Sequence, residues 1–84
     1  MAQVTIYTKI GCPYCARALA LLDKKGAEVT NIEAASKPDV RAKMNELSGR
    51  NTFPQVFIGS KHVGGCDDLL ALDARGELDG LLAA

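Results

Sequence analysis

Cys12 and Cys15, in the run Cys12-Pro13-Tyr14-Cys15, are the residues of this chain best suited to chemistry. Thiols at this spacing either exchange disulfides or hold zinc, and the flanking sequence weighs the two. Before them, Val4-Thr5-Ile6-Tyr7-Thr8 alternates like a half-buried strand. After them, Ala16 to Lys25 continues a pattern in which Cys15, Ala18, Leu19 and Leu22 recur at i, i+3, i+4 and i+7, one apolar helix face. Pro13 suits the first turn of that helix, where its missing N–H costs nothing. Cys12 then stands where unpaired backbone N–H groups and the positive end of the helix dipole converge. A thiolate is favoured there, with a pKa expected in the depressed range of roughly 3.5–7.5. Cys15, one turn further in, is more enclosed and keeps its proton more readily. The pattern predicts one thiol that attacks and one that waits.

Zinc is the alternative. A structural zinc site takes four ligands, and the other soft donors, His62 and Cys66, stand at i and i+4, so a set of Cys12, Cys15, His62 and Cys66 has the right composition. The strand–Cys-x-x-Cys–helix context favours redox exchange over that set, and over a static disulfide; no metal ligand is assigned.

The elements that must position the thiols read as β-α-β-α-β-β-α-α. Gly26 ends the first helix, and Ala27 to Ile32 forms a second strand, making a right-handed parallel crossover with the first. Ser36-Lys37-Pro38 opens a second helix with Val40, Met44 and Leu47 as its apolar stripe, closed by Gly49. Val56–Ile58 and Lys61–Val63 flank Gly59-Ser60 as a hairpin, with glycine placed for a type II′ turn. Gly64-Gly65 breaks the last strand, and Cys66 to Arg75 forms a third helix ending at Gly76. Leu78, Leu81 and Leu82 mark a short terminal helix. The expected fold class is α/β, a four-stranded mixed sheet flanked by helices, with residues 1–84 as a single domain.

Eighty-four residues suit one small core, and 48% hydrophobic content without tryptophan argues against disorder. No apolar run could span a bilayer, and Met1-Ala2-Gln3 leads into the first strand without a signal-peptide pattern. Three cysteines are a poor basis for a secreted disulfide framework, so a reducing cytoplasm is the expected compartment. A net charge of zero argues for neither nucleic acid nor an anionic membrane as partner. The charge is polarised, however. Residues 1–26 carry Lys9, Arg17, Lys24 and Lys25 against Asp23, a net +3, while residues 61–84 carry Lys61 and Arg75 against Asp67, Asp68, Asp73, Glu77 and Asp79, a net −3. Much of this is solvated surface, but a zwitterionic ligand could use both signs.

Three further features are weak alone. Phe53–Pro54 could simply open an edge strand, Gly64-Gly65-Cys66-Asp67-Asp68 could be a strand end followed by an acidic helix start, and Lys9 could be a surface lysine. Taken in order, Tyr7-Thr8-Lys9, Cys12-Pro13-Tyr14-Cys15, Thr52-Phe53-Pro54 and Gly64-Gly65-Cys66-Asp67-Asp68 resemble the glutaredoxins, particularly the short bacterial dithiol type. The tail Leu69 to Gly76 strengthens the likeness, which runs from Val4 to Leu82. Two departures stand out. Phe53 replaces the usual small β-branched residue before the proline, and Glu33-Ala34-Ala35-Ser36 lacks an acidic residue common after the second strand.

The resemblance implies a thioredoxin fold with Pro54 cis, a redox-active Cys12–Cys15 disulfide, and glutathione as cosubstrate with no tightly bound cofactor. It implies a nucleophilic Cys12, with Lys9 lending charge to its thiolate and, together with Arg41, to the glycine carboxylate of glutathione. The backbone of Phe53, before Pro54, would pair with the cysteinyl unit like an added strand. Backbone N–H groups of Gly65-Cys66-Asp67 would receive the γ-glutamyl carboxylate, Asp67 or Asp68 would accept the ammonium group, and Tyr14 would wall the sulfur. Cys66 is read as a small apolar residue at a helix start, and His62 receives no chemistry. Expected partners are glutathione and glutathionylated or disulfide-containing proteins, with ribonucleotide reductase as one candidate; the chain is expected to be a monomer. The rival reading is a binding protein in which Cys12 of two subunits and two glutathiones hold a [2Fe-2S] cluster. Colour and iron content of protein purified without air separate the two.

Overall fold

A computed structural model describes residues 2–83. Strand β1 (Gln3–Thr8) leads to α1 (Pro13–Lys24), β2 (Glu28–Glu33), α2 (Pro38–Ser48), the hairpin β3 (Gln55–Ile58) and β4 (Lys61–Gly64), then α3 (Cys66–Ala74) and α4 (Leu78–Ala83). The strands lie in the order β2-β1-β3-β4, with β1 parallel to β2 and antiparallel to β3, and β4 antiparallel to β3. This is the thioredoxin fold with the expected element order.

Side-chain alternation on β1 divides the core in two. Val4 and Ile6 join Val56 and Ile58 of β3 against Ala18 and Leu22 of α1, Leu69 of α3, and Leu78 and Leu82 of α4. Tyr7 points the other way and packs with Ala34, Met44 and Phe57 beneath α2. The first β1 and β3 set is closed by three helices and the second by one. That difference explains a correction: Val40 and Met44 of the expected α2 stripe pack inward, but Leu47 is 53% exposed. Met44 packs with Tyr7 and Phe57, whose rings meet edge to face, and Leu47 is left over a cavity at the rim.

Boundaries moved where backbone groups were already committed. The Ala27 N–H closes the end of α1 on the Leu22 carbonyl (3.0 Å), so β2 begins one residue later than expected. Lys25, expected as solvated charge, bridges Asp73 (2.8 Å) and Asp79 (3.0 Å), tying α1 to α3 and α4. Gly59 has φ +60° and Ser60 is not left-handed, the combination a type II′ hairpin turn needs.

Candidate active site

Cys12 sits at the N-cap of α1 in extended conformation, and Pro13 takes the first helical position. Its carbonyl accepts the Ala16 N–H at 3.1 Å, and its sulfur accepts the Cys15 N–H at 3.2 Å. The sulfur therefore occupies the place that a serine or aspartate oxygen fills in an ordinary cap. Burial works against the anion at Cys12. The hydrogen bond from the Cys15 thiol, those from the Cys15 and Tyr14 N–H groups, and the Lys9 charge outweigh it and hold the pKa below the ordinary thiol value. At Cys15, burial and the hydrogen bond it gives to Cys12 act together and push its pKa up to about 11. The environments of the two thiols thus differ in the direction the helix position predicts.

A Cys15 held toward its thiol beside a Cys12 held toward its thiolate has a direct readout. At about pH 6.5, where an unperturbed thiol is roughly 1% thiolate, brief iodoacetamide treatment should label Cys12 first. The Cys12 rate should fall only as pH drops through its own depressed pKa. Mass mapping that finds Cys15 or Cys66 modified first would overturn the order of attack.

Two cavities meet at Phe53. One, of about 220 Å³, is lined by Tyr14, Arg50, Thr52, Phe53, Pro54 and the start of α3 from Gly65 to Asp68. The other, of about 330 Å³, is lined by Lys9, Ala35, Arg41, Asn51, Thr52 and Phe53. The Phe53–Pro54 bond is cis, as the resemblance implies. Together the cavities form a groove across the Phe53 backbone with cations at one end and a helix start with carboxylates at the other. A larger hollow of about 510 Å³ lies on another flank of the dithiol, between α1 and the edge strand β2. It takes in the start of α1, where the Cys12 sulfur already fills the cap, but neither the acidic start of α3 nor the Phe53 backbone, so the paired cavities fit a charged peptide better.

Within the groove the two aspartates differ. Asp68 Oδ2 accepts the Gly65 N–H (2.9 Å) and pairs with Arg50 (3.1 Å), and these contacts, the Gly65 bond foremost, lower its pKa. The Gly65 N–H is thereby consumed, leaving Cys66 and Asp67 to supply N–H groups to an anion. Asp67 has no recorded side-chain partner among the described residues and is the aspartate open to a ligand. Arg41 lies over the Phe53 ring at 5.4 Å from its centroid, with Nε donating to Asn51 Oδ1 at 2.9 Å. The aromatic side chain that departs from the family pattern is therefore a platform for a groove cation. Tyr14 is half exposed beside the 220 Å³ cavity, with Arg17 over its ring.

Cys66 is buried in the main core, and burial, then the charge of Asp67, raises its thiol pKa. Among the described residues no three His, Cys, Asp or Glu side chains converge for a metal, and His62 Nε2 faces Gln55 instead. Sequence reasoning missed Arg50 and Asn51, whose roles depend on contacts to Asp68 and Arg41 that no local pattern displays. No described helix is long and apolar enough to cross a membrane.

Comparison with known proteins extends these observations. Residues 4–63 match the family model described as Glutaredoxin. The chain is 55% identical over 82 residues to glutaredoxin 3 of Escherichia coli K12, covering 98% of this chain and 99% of that protein. It is 66% identical to a glutaredoxin of Brucella melitensis solved in solution, with a TM-score of 0.86 over 98% of this chain and 89% of the other. A buckwheat glutaredoxin–glutathione complex superposes with a TM-score of 0.88 at 34% identity, over 98% of this chain and 77% of the other.

Proposed function

From its membership of the glutaredoxin family, we propose that this thiol–disulfide oxidoreductase draws its electrons from glutathione and acts on glutathione mixed disulfides and protein disulfides. The observation that carries the reading is the groove across Phe53, with Lys9 and Arg41 at one end and Asp67 with the α3 start at the other. Glutathione has a carboxylate at each end and an ammonium at one. Its glycine carboxylate matches Lys9 and Arg41, its γ-glutamyl carboxylate matches the N–H groups of Cys66 and Asp67, and its ammonium matches the Asp67 carboxylate.

In deglutathionylation, the Cys12 thiolate attacks the glutathionyl sulfur and forms a Cys12–glutathione disulfide. The substrate thiolate departs and takes a proton from solvent. The thiolate of a second glutathione then attacks the glutathionyl sulfur, restoring the Cys12 thiolate and forming glutathione disulfide. With a protein disulfide, Cys12 forms a mixed disulfide with one substrate sulfur and releases the other. Cys15 then gives up its proton, attacks the Cys12 sulfur and frees the second substrate thiolate, which takes up a proton. Two glutathiones reduce the resulting Cys12–Cys15 disulfide. The depressed Cys12 pKa favours it as nucleophile and as leaving group, while the protonated Cys15 stays idle until a mixed disulfide forms. Such turnover belongs in a reducing compartment, which supports a cytoplasmic location.

Charge reversal tests the groove. Lys9→Glu and Asp67→Lys should each raise the apparent KM for a small glutathione mixed disulfide several-fold. Stability should move by no more than about 0.5 kcal/mol, as is usual for exposed charges. Unchanged KM in both variants would remove the basis for the zwitterion seat.

A further inference from the structure

Gln55 follows the cis-proline, and its side chain is fully buried in β3. Its Nε2 donates to the Thr52 carbonyl and to Thr52 Oγ1, each at 3.1 Å. Its Oε1 stands 2.8 Å from His62 Nε2. A carbonyl can only accept, so the amide nitrogen must face Thr52 and the amide oxygen must face His62. It follows that His62 Nε2 carries a proton and donates it to Gln55. The imidazole lies against Phe57, with centroids 4.9 Å apart, and Phe57 meets Tyr7 edge-on. The donor is thus fixed to the second core cluster rather than to a mobile surface chain.

These contacts converge on one peptide unit. The Thr52 carbonyl and the Phe53 N–H belong to the same planar trans peptide and point in opposite directions. Pinning the carbonyl inward on Gln55 aims the Phe53 N–H away from Gln55.

We propose that Gln55 and His62 are positioning residues for glutathione: the chain from His62 to Gln55 to Thr52 sets the peptide plane whose Phe53 N–H pairs with the ligand's cysteinyl backbone. This rests on the reading of Phe53 as the cysteinyl seat. Neither side chain touches the reacting sulfurs, so their removal should weaken seating of the glutathionyl unit and leave thiol reactivity alone.

The wild-type protein offers the first test. A long-range proton–nitrogen correlation spectrum of neutral His62 should show the Nε2–H tautomer, and a predominant Nδ1–H tautomer would overturn the chain of donors. Kinetics offer the second. Gln55→Met keeps the volume but removes both ends of the chain, and should raise the apparent KM for a small glutathione mixed disulfide about five- to tenfold, the scale of one or two lost hydrogen bonds. The kcat and the Cys12 alkylation rate should stay within about twofold. His62→Phe should raise KM in the same way, whereas His62→Gln, whose amide nitrogen can take the place of Nε2, should restore it. If Gln55→Met does not fold, the His62 pair decides. Unchanged KM in His62→Phe, or no rescue by His62→Gln, would overturn the proposal. Titration with unreactive S-methylglutathione separates the two readings. A wild-type Phe53 amide that does not respond defeats the cysteinyl seat itself. A response in wild type alongside unchanged KM in the variants defeats only the positioning role.

Discussion

Cys12→Ser should abolish turnover on both a small glutathione mixed disulfide and a protein disulfide, while Cys15→Ser should separate the two. The separation follows from what each sulfur does after the first attack. A glutathionyl group on Cys12 can be removed by a second glutathione from solution, so that reaction needs a single enzyme thiol. Cys15→Ser should keep that activity, or exceed wild type, because Cys12 can no longer be diverted into the Cys12–Cys15 disulfide. A protein substrate tethered to Cys12 is released mainly by the neighbouring thiol, whose proximity gives it a high effective concentration. Its loss should remove most multiple turnover on protein disulfides. The substitutions are not symmetric, since one thiol is held toward its anion and the other is pushed up to about 11. Assays of both variants on both substrates decide the matter. Equal loss of the two activities in Cys15→Ser would replace the glutathione-specific mechanism with one that needs the dithiol throughout.

Gly64→Ala should be the most damaging single methyl group near the site. Gly64 ends β4 opposite Val56 with φ +123°, a conformation that L side chains rarely adopt. A Cβ there would also run into the Asp68 carboxylate, the group that caps the Gly65 N–H and holds Arg50. Backbone strain of this kind costs about 1–3 kcal/mol and loss of a cap about 0.5–2 kcal/mol, so destabilisation of about 2–4 kcal/mol is expected. In a chain of this size that lowers Tm by more than about 10 °C. Displacing Asp68 also disturbs the α3 start that would receive the γ-glutamyl carboxylate, so KM for a glutathione mixed disulfide should rise in whatever protein remains folded. Adding Asp68→Ala removes the carboxylate but keeps the Asp68 Cβ, 2.9 Å from the added methyl, so it should recover part of the steric loss and none of the backbone part, giving measurable coupling in a double-mutant cycle. Urea unfolding that shows less than about 1 kcal/mol of destabilisation for Gly64→Ala would contradict this account.

The sequence disclosed most where function depends on local geometry. The strand, Pro13 and the apolar spacing after it put Cys12 at a helix cap before any coordinates were needed, and the different fates of the two thiols follow from that placement. The hairpin was legible because Gly59-Ser60 is a local turn signal, and the α2 end because Gly49 takes φ +70°. Leu47 misled because periodicity reports a helix face without reporting how far the opposing sheet extends. The groove was only half legible. Polarised charge suggested a zwitterion, but local sequence could not show that Lys25 joins Asp73 and Asp79 far from it, or that Asp68 is spoken for by Gly65 and Arg50. His62 reads as a strand residue without chemistry and Gln55 falls just before the expected strand, since a side-chain link across two strands leaves no periodic trace.

The sulfur of Cys12 as a helix cap links two equilibria that are usually measured apart. A thiolate is a stronger acceptor for the Cys15 N–H than a neutral sulfur locked in a disulfide, so α1 is better capped when the protein is reduced. Folding and reduction then close a thermodynamic square, and every increment of capping in the reduced form must reappear as a more positive reduction potential. A difference of about 1 kcal/mol, ordinary for a cap, corresponds to about 20 mV for a two-electron couple. The start of one helix thus helps to set how readily the dithiol site accepts electrons, and melting curves of the dithiol and disulfide forms carry that contribution without an electrode.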